Sequence, residues 1–110
     1  KTQPVDIHPL FLTVTDDSQQ IVGGLVARPW WGGLEVQDLW VGDQCRKSGY
    51  GRQLMELAEE EARKRGCHMA YVDPFDFQAR GFYEKLGYRV YGELGDYAHR
   101  HTRHYLAKSL

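Results

Sequence analysis

An apolar run that ends at Val41 and a helical pattern that continues to Arg65 are joined through Arg46-Lys47-Ser48-Gly49-Tyr50-Gly51. A strand, a glycine turn and a helix in that order leave few folds open. Gly49 and Gly51 let the backbone turn tightly and approach a ligand, while the helix that follows offers unpaired N–H groups and the positive end of its dipole. The loop is therefore predicted to hold an anion. Arg46 and Lys47 at its mouth would add charge-assisted donors, so that a pyrophosphate meets backbone and side chains together. Without such a ligand the pair is simply a solvated loop.

The elements around this junction are legible from period and punctuation. Residues 10–15 are rich in Leu, Phe, Val and Thr and read as a strand, closed by Asp16-Asp17-Ser18. Residues 20–28 read as a second strand, whose Gly23-Gly24 pair marks a bulge or a close approach by another group. Pro29 and Gly32-Gly33 bracket Trp30 and Trp31 in a turn, and residues 34–41 form a third strand. The period then changes: Leu54, Leu57, Ala58, Glu61 and Ala62 recur at helical spacing up to Gly66. A short strand over residues 69–72 follows. Next comes a helix over residues 78–86, with Ala79, Phe82, Tyr83 and Leu86 on one stripe and Gly87 as its stop. Strands over 88–93 and 102–107 complete the order β-β-β-α-β-α-β-β. This is a mixed α/β domain spanning residues 1–110, in which the first helix crosses between parallel neighbours.

Length and composition exclude several classes. At 110 residues there is room for one core, and the formal net charge of −1 gives no broad nucleic-acid surface. No stretch has the length to span a membrane, so no membrane partner is expected. Cys45 and Cys67 are too few for a disulfide framework and read as free thiols of a cytoplasmic protein. His99, His101 and His104 lack an accompanying carboxylate or cysteine pattern, so no metal is expected.

Three blocks in this order resemble the GNAT superfamily of acetyl-CoA-dependent acyltransferases. Leu39-Trp40-Val41 is similar to the end of the family's central strand, and Arg46-x-x-Gly49-x-Gly51 to its pyrophosphate loop. Ala79-x-x-Phe82-Tyr83-Glu84-Lys85-Leu86-Gly87-Tyr88 is similar to its second cofactor motif. The resemblance covers the chain from Leu10 onward. It implies a strongly bent sheet that splays after the central strand, with the pantetheine arm of acetyl-CoA pairing to the backbone of Leu39, Trp40 and Val41 as a missing strand would. The loop Arg46, Lys47, Ser48, Gly49, Tyr50, Gly51 and Arg52 would then hold the pyrophosphate. Asp76 stands where the family commonly carries Asn, and it accepts but does not donate when ionised.

Moving an acetyl group to an amine requires a neutral nucleophile, stabilisation of developing negative charge on oxygen, and a proton for the departing thiolate. By the resemblance Tyr83 is the general acid; on its residues alone it reads first as a core tyrosine of an apolar stripe whose hydroxyl finds a partner. Glu35 and Asp38 are the candidates for general base, and regular strand alternation puts them on opposite faces unless a bulge intervenes. Asp38 is preferred. Trp30 and Trp31 either wall a pocket for a cationic amine or cap the core. The family plan begins with a strand and helices that shape the acceptor pocket, and the chain before Leu10 is short for them. Either the N-terminus is trimmed, or a partner subunit completes the pocket, and apolar surface left open would favour a homodimer. The reading is an N-acetyltransferase for a small-molecule amine, with a non-catalytic CoA-binding sensor module as the alternative. A P-loop is excluded because Arg52-Gln53 follows Gly51.

Overall fold

Among the described residues the alternation and breaks in the sequence resolve into six strands and two helices. They are β1 (Leu10–Thr15), β2 (Ile21–Trp30), β3 (Gly33–Val41), α1 (Tyr50–Lys64), β4 (Met69–Val72), α2 (Phe77–Lys85), β5 (Arg89–Tyr97) and β6 (His101–Ser109). The structure, a computed structural model, describes residues 8–43, 48–74, 77–97 and 101–110. The element order is the one expected, and the strands form one sheet in the order β1-β2-β3-β4-β6-β5. Only β3 and β4 are parallel, with α1 crossing between them; the other neighbours are antiparallel. Among the described residues no helix is long and apolar enough to cross a membrane.

Several boundaries differ from the sequence reading by a few residues, and two of the differences have a clear cause. Trp30 is not in the turn: it ends β2 paired with Gly33, and only Trp31 (φ 52°) and Gly32 (φ 80°) make the connection. Two successive positive-φ residues form a hairpin turn whose twist matches the flanking strands, which is why so short a loop suffices. Pro29 is tolerated inside β2 because the β1 register stops at Leu10↔Ala27, so no β1 carbonyl calls for an N–H at Pro29. Secondly, β5 runs on to Tyr97, since its partner β6 begins at His101 and register shifts absorb the mismatch between them.

The inward face of α1 is also rotated from the expected stripe. Leu54, Met55, Ala58 and Ala62 pack against Leu25, Leu34 and Val36 of the sheet, whereas Leu57 is 53% exposed. That rotation buries Glu59, which is only 4% exposed. A carboxylate there requires partners. The Tyr88 hydroxyl and Lys108 Nζ each donate to it at 2.8 Å, tying α1 to the start of β5 and the end of β6. Helix ends follow the same economy of unpaired groups. At α1, Gly66 (φ 86°) lets the Cys67 N–H reach back to the Ala62 carbonyl, and at α2, Gly87 (φ 98°) lets Tyr88 reach Tyr83.

Replacing Glu59 with Ala leaves a buried phenol and a half-buried ammonium without their acceptor. The expected loss is about 3 kcal/mol of folding stability, the low end for a broken buried pair because Lys108 still reaches water. Urea unfolding with an unchanged m-value checks this, and a loss below about 1 kcal/mol would show the network to be ornamental.

Candidate active site

β3 and β4 share only the pairs Gly33↔Met69, Leu34↔Ala70 and Glu35↔Tyr71, yet β3 runs on to Val41. Beyond Glu35 no strand among the described residues pairs with β3 on that side, so the sheet opens there. A bulge re-aims β3 at the same place. Val26 pairs with Asp38 and Ala27 with Val36, which leaves Gln37 as an extra residue. Before it Leu34 and Val36 face the core; after it Leu39 does. Glu35 and Asp38 therefore share the outer face, where unbroken alternation would have separated them.

The opening is a cleft of about 480 Å³. One wall is the outgoing β3, with Val36, Asp38 and Leu39; the other is the end of β4, with Val72, Asp73 and Pro74. Tyr83 of α2 and Arg103 of β6 close it. Tyr83 is held firmly, 8% exposed, with its ring edge-on to Phe82 (5.2 Å between centroids) and to Tyr88 (5.7 Å). Burial, and then the charges of Asp38 and Asp73, push its pKa up to about 12, so the phenol keeps its proton throughout the physiological range. Asp73 is engaged by Arg103, whose guanidinium also lies 5.4 Å from the centroid of the Tyr105 ring.

The start of α1 adjoins this cleft. Gly49 adopts a left-handed conformation (φ 84°) and provides no side-chain cap, and the first turn holds no acidic residue. Its first N–H groups consequently have no acceptor within the helix, and the dipole is not compensated by a carboxylate. A Cβ on Gly51 would lie 3.3 Å from the Phe82 ring and 3.7 Å from Val41 Cγ2. Glycine at this position thus allows the helix end to abut both the end of β3 and the residue before Tyr83.

Of the residues singled out in the sequence, the structure brings Asp38, Leu39 and Tyr83 into one cleft, with Val41 and Gly51 beside it. Trp40 turns to the outer face, where its indole covers Gly24; a Cβ there would meet Nε1 at 2.8 Å, so close approach explains that glycine. Ser48 and Gly49 form the turn into α1, which Tyr50 opens, and Arg52 pairs with Glu56 at 2.9 Å. Glu35 contacts Arg28 Nη2 at 3.4 Å and does not line the cleft. Trp30 and Trp31 meet edge-on (6.2 Å) at the hairpin by the opposite end of β3, about 16 Å of strand from Asp38. Arg46, Lys47, Asp76, Cys45 and His99 lie outside the described residues. Sequence reasoning gave Asp73 no role beyond ending β4, although the carboxyl end of a parallel strand is where such sheets gather ligands. Arg103 carried no local signal, because the β4–β6 pairing delivers it from thirty residues away.

Comparison with known proteins converges on one family. Residues 4–88 match the acetyltransferase (GNAT) family. The chain is 37% identical over its whole length to blasticidin-S acetyltransferase of Streptomyces morookaense and spans 84% of that protein. A crystal structure of an acetyltransferase from Bacillus cereus superposes with a TM-score of 0.90 at 35% identity, over 96% of this chain and 76% of that one. An aminoglycoside 6′-N-acetyltransferase complexed with coenzyme A gives 0.81 at 25% identity, over 92% and 72%.

The electrostatic coupling in the cleft is measurable without any ligand. With a pKa of about 12, Tyr83 is about a tenth ionised at pH 11. Removing the Asp38 charge as Asn relieves repulsion of the phenolate and lowers the midpoint. Ring NMR of labelled tyrosine, with Tyr83→Phe to assign the signal, reads both; an unmoved midpoint in Asp38→Asn would mean that the two groups do not face each other.

Proposed function

Because the chain belongs to the acetyltransferase (GNAT) family, we propose that it moves the acetyl group of acetyl-CoA directly to a primary amine of a small molecule within a ternary complex. The observation that carries this reading is the convergence on one cleft of a phenol that keeps its proton throughout the physiological range, a carboxylate and an unpaired strand edge. In this reading the pyrophosphate lies at the uncapped start of α1 and the pantetheine arm pairs with the open edge of β3, which puts the thioester beside Tyr83. A backbone N–H at Trp40 or Val41 polarises its carbonyl.

Asp38, on the outer face beyond the bulge, takes the proton of the attacking amine as the C–N bond forms. Tyr83 hydrogen-bonds to the sulfur and delivers its proton as the C–S bond breaks. The two steps are coupled through charge. Once Asp38 is protonated, one of the charges that hold the Tyr83 proton is gone, so the acid strengthens when the thiolate appears. A small amine as acceptor is supported by the names of relatives, blasticidin-S acetyltransferase and aminoglycoside 6′-N-acetyltransferase.

Tyr83→Phe should lower kcat about a hundredfold or more while calorimetry finds acetyl-CoA binding almost unchanged. In the unsubstituted enzyme Tyr83 stays protonated well above the ordinary tyrosine value, so the rate should show no falling limb up to about pH 10. An unchanged kcat in Tyr83→Phe would remove the residue from the mechanism. Gly51→Val, whose side chain collides with Phe82, should weaken acetyl-CoA binding about tenfold; undiminished binding would place the donor elsewhere.

A further inference from the structure

α2 has few holds on the rest of the molecule. It is nine residues long, shorter than a helix needs to be to stand alone. Among its described side chains only Tyr83 is buried. Arg80 meets Glu93 at 3.6 Å, but Glu93 is exposed, and pairs of that kind hold little. The helix is therefore placed largely through the Tyr83 ring and the ring that meets it from beyond the helix end, that of Tyr88 (5.7 Å between centroids, 68° between planes).

Tyr88 is fixed more tightly than packing requires. The turn at Gly87 lets its N–H reach the Tyr83 carbonyl at 3.1 Å. Its hydroxyl donates to Glu59 Oε2 at 2.8 Å, and burial and then the Glu59 charge push its pKa up, so it remains a donor. Glu59 is clamped in turn by Lys108 Nζ at 2.8 Å, with Arg63 at 4.0 Å, and the same ammonium lies 5.7 Å from the centroid of the Tyr88 ring. A phenylalanine would offer Tyr83 the same ring. With an apolar residue in place of Glu59 it would also spare the fold the desolvation of a carboxylate, an exchange that is often neutral or stabilising. Stability thus does not account for the network. What the hydrogen bond adds to apolar contact is direction: packing alone lets a ring slide or tilt, whereas a bond to a clamped carboxylate fixes its depth and angle. The bond also spans two elements, since Glu59 belongs to α1 and Tyr88 follows α2.

Resting on the transfer reading above, we propose that Tyr88 is a positioning residue for the proton donor: its hydroxyl, anchored on Glu59, registers the Tyr83 ring against α1, the helix at whose start the pyrophosphate lies. The Tyr83 phenol then meets the thioester sulfur at a set distance, while the binding of acetyl-CoA draws nothing from the network.

The test is release of CoA thiol by the whole protein with acetyl-CoA and three primary amines, putrescine, free lysine and glucosamine. Tyr88→Phe should lower kcat about tenfold and leave KM for acetyl-CoA within about twofold. In a Tyr83→Phe background the same substitution should cost nothing further, because Tyr88 acts only through Tyr83. Tyr88→Phe combined with Glu59→Leu should regain the urea midpoint of the unsubstituted protein but not its kcat. Full kcat in Tyr88→Phe, an equal further loss in the Tyr83→Phe background, or a kcat that returns with the midpoint overturns the proposal. A midpoint that stays low in the combined variant makes the network a stability device and overturns it as well. Ring NMR of labelled tyrosine separates this from the transfer reading. If none of the amines releases thiol, or Tyr83→Phe keeps full kcat, that reading falls; flipping of the Tyr83 ring that quickens in Tyr88→Phe and stays quick in the combined variant still supports Tyr88 as the residue that fixes the ring. Unaltered flipping overturns it.

Discussion

Everything at the site depends on β3 parting from β4 after the Glu35↔Tyr71 pair. A parallel pair that continued to Val41 would satisfy every backbone group between the strands and leave no edge to offer. The short register has two physical supports. β4 is only four residues long and ends at Asp73-Pro74, where proline removes a donor and the preceding residue is steered from helix. β3 meanwhile bends away at Gln37, because a bulge increases local twist and the antiparallel neighbour β2 carries the strand off with it. Unpaired backbone is costly to bury, so the opening persists only because it faces solvent or a ligand.

The two helices are set around that gap by close approach rather than by bulk. Gly51 lets the start of α1 touch Phe82, and Phe82 in turn fixes the neighbouring Tyr83 from one side while Tyr88 fixes it from the other. Tyr88 is itself tied to Glu59, the buried carboxylate of α1. Hence a single chain of contacts runs from the interior of one helix to the Tyr83 phenol of the other. A ring held by both neighbours keeps its hydroxyl in place, as the proposed proton donor requires.

Much of this was legible in the sequence, and what was not has identifiable causes. Period and punctuation located all eight elements, because glycine at Gly66 and Gly87 and the change of period after Val41 are local signals. The Trp30 boundary was missed since a left-handed tryptophan is rare, and Trp31 adopts that conformation only because Gly32 follows it in a two-residue turn. Nothing near Glu59 in sequence reveals its partners 29 and 49 residues away. Of the residues expected at the site, Asp38, Leu39 and Tyr83 line the cleft, whereas Glu35 does not. Asp73 and Arg103 escaped because they meet only through the β4–β6 register, which a single sequence does not encode locally.

In the proposed mechanism the high pKa of Tyr83 at first looks like the wrong choice for an acid. An ordinary thiol has a pKa of about 8.5, so a phenol at about 12 gives its proton to a thiolate uphill by roughly 5 kcal/mol. Two features of the cleft reduce that difficulty. The charge on Asp38 that raises the phenol disappears when the amine proton arrives there, and the resulting carboxylic acid is a far stronger acid than the thiol, so the complete transfer from nitrogen to sulfur runs downhill. Meanwhile the reluctance of Tyr83 to ionise protects the reaction between turnovers. A phenolate beside the thioester would compete with the amine as nucleophile, and a group held protonated to about pH 12 is present as phenolate in only about one molecule in a hundred thousand at neutral pH. The carboxylates of the cleft thus keep its proposed proton donor in the form that the transfer needs.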